Sequence, residues 1–466
     1  MHFFAKSLVP LVLLTIVLGE EIYENSTNIC ERCKCLRGRQ FVLDCSDSGI
    51  HNTIAEWPEH DTSLVATFSN NNIGNLEVLP HSDKVTDLIF SHCNIKSLDN
   101  GVFKAVRNIQ LIDLSYNDLV TEGISPEKFK GPYNNTVYEP LGLTQLNLAY
   151  NRIHSLPHKI FEHLADLRQL NLEGNQFKVL DPPTQMALST LSNLETLNLA
   201  SNQLTELVGD AVKSLRNLKE LNLSYNNLDA VPETLSYLGE TLEYLYLDHN
   251  PIFEMSDESF LGVKSVIELS LTNLPRLTYV NVNTFSPIKN LKVLFLHTNK
   301  NLFDINSQAF GENQTLEELY VQDNALNDLN YNLTKWSNLK LVNMSGNDFF
   351  CGCNMYNIAK DLKEDVKRDK DGPVCVNLVS GQSMMIYELT EEACEYQTTG
   401  PSPPYHLIIH HYRILRIFTV LVAVALIVCL LLTITILLLR YRKYRMNRSY
   451  PFATQIWYNP ITNTVT

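Results

Sequence analysis

Two groups of cysteines have spacings at which side-chain chemistry is possible. Four cysteines lie within residues 30–45 as C-x2-C-x-C-x9-C, and four lie within residues 351–394 as C-x-C-x21-C-x18-C. Such spacings suit a metal clamp or a redox pair inside the cell, or disulfides outside it. Each group has an even number of cysteines and no nearby histidine ligand, so disulfides are favoured if the chain is extracellular. The cysteines are Cys30, Cys33, Cys35, Cys45, Cys351, Cys353, Cys375 and Cys394.

No catalytic constellation accompanies these cysteines. The sequence contains no G-x-S-x-G, no H-E-x-x-H, no P-loop and no G-x-G-x-x-G. His410 and His411 are adjacent, but two ligands do not make a closed metal site. The formal net charge of −14 argues against nucleic-acid binding, which would need a basic stripe. We therefore predict a protein that is not an enzyme and has no metal, no cofactor and no nucleic-acid partner.

Two apolar segments predict the compartment. Lys6 precedes an apolar run at residues 8–18 that is too short to span a bilayer, which is typical of a signal peptide over residues 1–19 rather than a buried helix. Residues 417–439 carry no charge, and at ~1.5 Å per residue they would extend about 35 Å, enough for a transmembrane helix. Basic residues are more numerous after this segment than before it. We expect a single-pass type I protein of the plasma membrane with its N-terminus outside.

An extracellular segment would also carry N-linked glycans. Sequons of the form N-x-S/T begin at Asn25, Asn134, Asn222, Asn313, Asn332 and Asn343. Asn447 begins another, but it falls on the predicted cytoplasmic side, away from the glycosylation machinery.

A repeat occupies the middle of the chain. Four close copies of L-x-x-L-x-L-x-x-N-x-L begin at Leu143, Leu167, Leu194 and Leu218, and looser copies extend the pattern to twelve repeats over residues 63–348. The alternation L-x-L predicts a short strand with its leucines inward, and an Asn at the turn can bond neighbouring backbone groups. The Asn position is occupied by Asn71, Cys93, Asn117, Asn151, Asn175, Asn202, Asn226, Asn250, Leu274, Asn299, Asn324 and Asn347.

These residues resemble the leucine-rich repeat family. The resemblance implies an α/β repeat solenoid, a horseshoe whose short parallel strands line the concave face. It also implies that Cys93 is a buried structural thiol, with a reactive or intermolecular role as the alternative. Recurring phenylalanines later in the repeats predict an internal spine: Phe103, Phe161, Phe260, Phe285 and Phe310.

The cysteine groups resemble the caps that cover the open ends of extracellular leucine-rich repeat proteins. The resemblance implies Cys351–Cys375 and Cys353–Cys394 at the C-terminal end, and it suggests Cys30–Cys35 and Cys33–Cys45 at the N-terminal end. Asp348-Phe349-Phe350 stands where the family commonly has a Pro and a Trp, and residues 354–364 are predicted to form a helix over the end of the stack. The predicted segments are thus a cap at 28–62, repeats at 63–348, a cap at 349–394, a stalk at 395–416, a transmembrane helix at 417–439 and a tail at 440–466.

The predicted concave face is acidic and, in its later repeats, aromatic. Of the outward positions, acidic residues occupy Asp87, Asp113, Glu173, Glu220, Asp248, Glu268 and Glu318, whereas Lys and Arg occupy none. This favours a basic or neutral protein partner. The alternatives are that the acidic residues serve only solubility and that the aromatic rings only pack on one another. The predicted contact patch comprises Tyr244, Tyr246, Asp248, Phe295, His297, Glu318, Tyr320 and Gln322.

Two further segments stand apart from the repeat pattern. From Asn117 to Asn151 the chain is about ten residues longer than one repeat, which predicts an inserted loop that either binds a partner or is a tolerated, glycosylated bulge. The tail is too short for a catalytic domain. Its segment Tyr458-Asn459-Pro460-Ile461 resembles a tyrosine-based sorting motif, with Tyr458 and Ile461 as its determinants.

Together these features predict a cell-surface recognition protein, acting in cell adhesion or cell-cell recognition. The alternative is an innate-immune or growth-factor co-receptor that presents ligand to a signalling chain. The partner would be an extracellular or cell-surface protein, and a homo- or hetero-oligomer with another receptor chain is compatible with either role.

Overall fold

The computed structural model describes residues 29–52, 54–207, 212–312, 315–363, 372–378, 380–392, 394 and 432–440. The chain divides into two compact units, Met1–Cys394 and Glu395–Thr466. The predicted signal peptide, the stalk, most of the predicted transmembrane segment and the sorting motif lie outside the described residues. Among the residues that are described, no helix has the length and apolarity needed to cross a membrane. Membrane anchoring therefore stays a prediction.

A 14-stranded sheet runs through the first unit. Its first two strands pair antiparallel and every later pair is parallel, so Leu197, Leu221 and Leu245 are direct neighbours in register. The leucine-rich repeat solenoid with a parallel sheet is confirmed. The strands are Lys34–Leu36, Phe41–Asp44, Leu64–Thr67, Val85–Ile89, Leu111–Asp113, Gln145–Asn147, Gln169–Asn171, Thr196–Asn198, Glu220–Asn222, Tyr244–Tyr246, Glu268–Ser270, Val293–Phe295, Glu318–Tyr320 and Leu341–Asn343.

The rest of each repeat is short irregular chain with a few small elements. An α-helix spans Pro182–Ser189. It is capped by Asp181, whose carboxylate accepts a hydrogen bond from the Thr184 N–H at 3.1 Å. Two parallel pairs, Asn75–Leu76 with Ser97–Leu98 and Tyr279–Val280 with Asp304–Ile305, lie outside the main sheet. Short 3₁₀ helices occupy Thr121–Gly123, Pro126–Phe129, Glu233–Leu238, Tyr331–Leu333, Trp336–Asn338 and Ile386–Glu388.

The core is one continuous column of inward side chains. The central leucine is buried in each of the eight repeat strands from Gln145–Asn147 to Glu318–Tyr320, and the predicted phenylalanine spine is confirmed because all five rings are buried. Phe285 lies between Phe260 and Phe310, with ring centroids 5.9 and 5.2 Å apart. Since each repeat buries its apolar face only against its neighbours, the column holds the strands in register.

A ladder of buried asparagines joins successive repeats. Asn151 donates from Nδ2 to the carbonyl oxygens of Leu114 and Leu148, at 2.9 and 3.1 Å, and its Oδ1 accepts from the Leu119 N–H at 3.0 Å. Each amide therefore satisfies backbone groups in its own turn and in the preceding repeat. The carbonyl oxygens are each shared by two ladder amides, since Leu114 also accepts from Asn117 and Leu148 also accepts from Asn175. The Leu119 N–H would otherwise be buried without a partner, which explains why one residue type recurs at this position.

Cys93 takes an asparagine position in this ladder. Its thiol donates to the Phe68 carbonyl oxygen at 3.0 Å, and its own carbonyl accepts from the Ile73 N–H at 2.9 Å. The side chain is fully buried and unpaired, and burial raises the pKa of the thiol to about 11. The prediction of a buried structural thiol agrees with this environment.

Leu274 is the other exception, because a leucine side chain cannot donate or accept hydrogen bonds. Its own N–H donates to Asn299 Oδ1 of the next repeat at 2.6 Å. The junction with the preceding repeat therefore lacks the ladder amide found at its neighbours.

Disulfide-linked caps close both ends of the first unit. The four bridges are Cys30–Cys35, Cys33–Cys45, Cys351–Cys375 and Cys353–Cys394, the same pairs that the family resemblance implied.

At the C-terminal end an α-helix spans Cys353–Asp361, a little earlier than the predicted 354–364. A three-stranded sheet of Phe349–Phe350, Val374–Val376 and Ser383–Met385 lies beside it. Phe349 is buried at this end, so it covers the core where the repeats stop.

Candidate functional site

The outward side chains of the main sheet form a surface that we call the sheet face. Strand pairing arranges them in rows: Glu220, Tyr244, Glu268, Val293 and Glu318 are successive neighbours in one row. The adjacent row runs Asn222, Tyr246, Ser270, Phe295 and Tyr320. The structure therefore brings the predicted aromatic residues of the contact patch together on three strands within a set of four neighbours, with Glu268–Ser270 between them.

The two central tyrosines are fixed by hydrogen bonds to acidic neighbours. The Tyr246 hydroxyl donates to Glu268 Oε1 at 3.1 Å, and the Tyr320 hydroxyl donates to Glu318 Oε2 at 2.9 Å. Phe295 stacks on Tyr320 with ring centroids 4.6 Å apart and meets His297 edge-on at 6.3 Å. The rings thus pack partly on one another, yet each remains half-buried and presents surface to a partner.

The sheet face holds negative charge without local compensation. Burial, with Glu318 and Glu220 close by, raises the pKa of Glu268 above its ordinary value. Burial also raises the pKa of Tyr246 and lowers the pKa of His297, which disfavours a positive charge on that ring. Within the described parts of the chain, no lysine or arginine forms an ion pair with Glu220, Glu268 or Glu318.

Glutamates just outside this surface behave differently. Glu195 lies between Arg168 and Lys219, with N–O distances of 2.6 and 2.9 Å, and these hydrogen bonds lower its pKa. Glu317 likewise pairs with Lys292 and Lys340. The chain therefore pairs Glu195 and Glu317, which precede strands of the main sheet, with cations, but within its described residues it leaves the glutamates of the sheet face named above without an ion pair.

Asp248 does not contribute to the exposed patch, so its predicted position there is wrong. It is only 2% exposed. Its Oδ1 accepts from the Ser270 hydroxyl and from the Thr272 N–H, both at 2.6 Å, and Oδ2 accepts from the Ser224 hydroxyl at 3.3 Å. Because these donors satisfy the carboxylate, it is buried between neighbouring repeats and is not exposed to solvent.

The other predicted contact residues remain partly accessible. Tyr244, His297 and Gln322 are half-buried at the edges of the aromatic group. The side-chain oxygen of Gln322 is buried and has no hydrogen-bond partner among the described residues. These side chains extend the patch, whereas Asp248 supports it from below.

The sequons differ in their surroundings. Asn222 and Asn343 lie on the sheet face and are half-buried, each with Oδ1 accepting from a backbone N–H two residues later. Asn134 and Asn332 are exposed. Asn25 and Asn313 lie outside the described residues. Glycans on the first pair would border the aromatic patch on both sides.

One ordered aromatic feature was not predicted. The residue before the ladder position has a left-handed backbone in five repeats, with φ between 54° and 57° at His92 (before Cys93), Tyr116, Tyr150, Tyr225 and His249. Their rings stack across repeats, at 4.3 Å for both His92–Tyr116 and Tyr116–Tyr150 and at 3.8 Å for Tyr225–His249. The sequence contains the signal for this stack, because these rings recur one position before the ladder residue.

The stacked rings predict that one glycine is unusually sensitive to substitution. At Gly174 (φ +66°) an added Cβ would lie 2.4 Å from the Tyr150 ring, whereas at Gly49 (φ +64°) it would meet nothing within 4 Å. Both alanine substitutions impose the cost of a left-handed residue, about 1–2 kcal/mol, but only Gly174→Ala must also displace a ring. We expect Gly174→Ala to lower the free energy of unfolding more than Gly49→Ala in urea denaturation. Equal losses of unfolding free energy in the two variants would show that the Tyr150 ring moves aside without cost.

The fold and the sheet face together define a leucine-rich repeat protein. A sequence profile described as Leucine rich repeat matches residues 142–194, 192–252 and 240–300. Lumican of Coturnix japonica is 30% identical over 297 residues, covering 62% of this chain and 79% of lumican. The chain belongs to the leucine-rich repeat family.

Two further relatives each cover 66% of this chain. Tsukushi of Gallus gallus is 28% identical over 313 residues, covering 66% of this chain and 73% of Tsukushi. Fibromodulin of Bos taurus is 26% identical over 324 residues, covering 66% of this chain and 74% of fibromodulin.

Solved structures share the fold. The mouse RP105/MD-1 complex matches with a TM-score of 0.53 at 19% identity, over 73% of this chain and 62% of the matched chain. The Drosophila Toll–Spatzle complex matches with a TM-score of 0.50 at 20% identity, over 71% of this chain and 51% of the matched chain. At these identities the likeness concerns the fold alone.

Proposed function

We propose that this chain is a cell-surface recognition protein whose sheet face, between Asn222 and Asn343, binds a protein partner. One observation carries the proposal: half-buried Tyr246, Phe295 and Tyr320 lie on rigid strands beside glutamates that have no cationic partner among the described residues. Rigid aromatic side chains lose little conformational entropy on binding and are common anchors of protein interfaces.

The charge of the surface selects the partner. A basic side chain entering beside Glu268 and Glu318 would gain an ion pair and the face of an aromatic ring. A basic or neutral surface is therefore favoured over an acidic one. Two carboxylates close together on a half-buried sheet would repel a third, so the same residues exclude acidic competitors.

We further propose that residues 417–439 anchor the chain in the plasma membrane, with residues 20–416 outside and the tail inside. The principal role is adhesion or cell-cell recognition. The second candidate is a co-receptor that presents ligand to a signalling chain. It is motivated by the matched complexes, which pair RP105 with MD-1 and Toll with Spatzle. The segment Tyr458–Ile461 would serve internalisation in either case.

The test uses the full-length chain on the surface of non-adherent cells. A library of secreted and surface proteins is applied to these cells and to cells without the chain. Aggregation of expressing cells would identify homophilic adhesion, whereas capture of a ligand only when a receptor chain is co-expressed would identify a co-receptor. A surface-expressed chain that does neither and captures nothing from the library would contradict the proposal.

Glu268 should oppose stability while supporting binding. Its raised pKa means that the folded state penalises the ionised carboxylate, so this cost is present at neutral pH and disappears as pH falls through the raised pKa. We expect Glu268→Gln to raise the melting temperature at pH 7, to change it little in acid, and to weaken a basic partner. The control Glu195→Gln should lower the melting temperature at pH 7, because the pKa of Glu195 is lowered by its cationic neighbours. A destabilised Glu268→Gln would contradict this account.

A further inference from the structure

One row of the sheet face alternates acidic and uncharged side chains. In this row Glu220, Glu268 and Glu318 stand on every second strand, and Tyr244 and Val293 occupy the strands between them. All of these side chains are half-buried on paired strands, so the sheet sets their spacing. Neighbouring strands lie ~4.8 Å apart, which places successive carboxylates about 9.6 Å apart.

The row beside it carries aromatic rings. Tyr246, Phe295 and Tyr320 stand two residues further along their strands than the first row, a separation of about 6.8 Å. The hydroxyls of Tyr246 and Tyr320 hold the carboxylates of Glu268 and Glu318. A ligand that lies along the two rows therefore meets carboxylates at a fixed interval on one side and ring faces on the other.

The interval between the carboxylates distinguishes peptide conformations. A polyproline II segment returns to the same side every third residue, after ~9.3 Å, which is within about 0.3 Å of the interval. An extended strand returns after ~6.8 Å, and two turns of an α-helix advance ~10.5 Å. Of these three conformations, polyproline II alone keeps its register over the two intervals from Glu220 to Glu318.

Charge and shape determine the side chains of such a segment. An arginine guanidinium binds a carboxylate and also stacks on a tyrosine face. The residues between two arginines would meet Tyr244 or Val293, and proline suits this contact because it is apolar. Proline also holds the polyproline II conformation before binding, so little conformational entropy is lost. Aromatic surfaces are the usual docking sites of such segments.

We propose that the sheet face binds a partner segment in the polyproline II conformation with arginine at every third position. Its arginines pair with Glu220, Glu268 and Glu318, and the residues between them pack on Tyr244 and Val293. The segment crosses the strands, and seven residues span the distance, since they extend about 18.6 Å. This inference rests on the proposed function of the sheet face and adds the kind of partner that it recognises.

Short peptides test the spacing by fluorescence anisotropy with the purified full-length chain in detergent micelles. The probe is Arg-Pro-Pro-Arg-Pro-Pro-Arg, and its permuted control is Arg-Arg-Arg-Pro-Pro-Pro-Pro, both capped at their termini. We expect the probe to bind roughly tenfold more tightly, because it alone engages all of the carboxylates. Equal affinities, or no binding of the probe, would overturn the inference. Tighter binding of an alanine-based helix with arginines seven residues apart would overturn it in favour of a helical partner.

The middle pairing is tested by Glu268→Gln, which removes a charge and keeps the size of the side chain. We expect this variant to weaken the probe several-fold but to leave unchanged the binding of Arg-Pro-Pro-Pro-Pro-Pro-Arg, which lacks the middle arginine. Glu220→Gln should weaken both peptides. The control Glu195→Gln should weaken neither, because Glu195 is already paired with Arg168 and Lys219. Equal weakening of both peptides by Glu268→Gln would show that the register is wrong.

These outcomes are separable from those that test the proposed function. The chain could capture a protein from the library, and lose it when Tyr246 and Tyr320 are replaced with alanine, yet show no preference for the probe over its permuted control. That result would retain the proposed function and overturn this inference. A chain that prefers the probe but captures no protein would instead contradict the proposed function.

Discussion

Replacing Asn202 with alanine is expected to lower the free energy of unfolding by about 2–4 kcal/mol, because one buried polar group left without a partner costs ~1–3 kcal/mol and each other hydrogen bond lost contributes about 0.5–1.5 kcal/mol. Asn202 Nδ2 donates to the carbonyl oxygens of Leu172 and Leu199 at 3.0 and 3.1 Å, and Oδ1 accepts from the Phe177 N–H at 3.2 Å. Alanine leaves the Phe177 N–H without this partner and adds a small cavity, whereas the Leu172 and Leu199 carbonyl oxygens each lose one of two ladder amides and keep those of Asn175 and Asn226.

Two further substitutions serve as a partial rescue of the Asn202→Ala variant and as its control. Asn202→Cys should lose less than Asn202→Ala, because the Cys93 thiol already donates to a carbonyl at the same position of another repeat. Asn217→Ala removes an exposed amide that donates to the Ser192 carbonyl oxygen, and it should cost under about 0.5 kcal/mol. Urea denaturation followed by far-UV circular dichroism measures all three. A cysteine variant no better than alanine would refute the interpretation that the ladder thiol substitutes for the amide.

The second large effect concerns binding. Tyr246→Ala combined with Tyr320→Ala is expected to abolish detectable partner binding while surface expression is retained. Loss of one anchoring tyrosine typically costs ~2 kcal/mol, or roughly 30-fold in Kd, and the two rings lie on strands separated by two others. Each truncation also leaves its glutamate partner, Glu268 or Glu318, without the hydroxyl that holds it.

Two controls separate ring packing from hydroxyl chemistry and from general damage. The corresponding double phenylalanine variant keeps the rings and removes only the hydroxyls, so it should retain most of the affinity. Tyr237→Ala removes a 51% exposed ring that lies beside Lys213, away from the sheet face, and it should bind normally. Flow cytometry with the partner identified on cells reports expression and binding together. Wild-type affinity in the double alanine variant would exclude the aromatic patch as the binding surface.

The repeat and the caps were predictable because their signals are periodic. A strand of alternating apolar residues recurs in each of the twelve repeats, and stacking such units side by side buries their apolar faces, so the parallel sheet and the phenylalanine spine follow from the sequence. The disulfide pairs in the structure match those implied by the family resemblance. The helix at Pro182–Ser189 was missed, because it lies in the variable part of one repeat, where no period helps.

The contact patch was only partly predictable, because outward positions do not all reach solvent. The position of Asp248 reads as outward in the repeat, yet neighbouring Ser224, Ser270 and Thr272 supply donors that enclose it. Such an arrangement depends on side chains of three repeats at once, and the spacing within one repeat cannot show it. The ring stack from His92 to Tyr150 was missed although its residues recur at one position of the repeat, because stacking is seen only when successive repeats are compared.

The buried Asp248 lies at the junction where Leu274 replaces a ladder asparagine. Its bonds to Ser270 and Thr272 join the same two repeats that the missing amide would have joined. In a linear array, stability is a sum over neighbouring pairs, and the weakest pair sets how far unfolding spreads. The Asp248 carboxylate therefore adds to the backbone hydrogen bonds that couple the repeats up to strand Tyr244–Tyr246 with those from strand Glu268–Ser270 onward, and its removal would make these two blocks unfold less cooperatively.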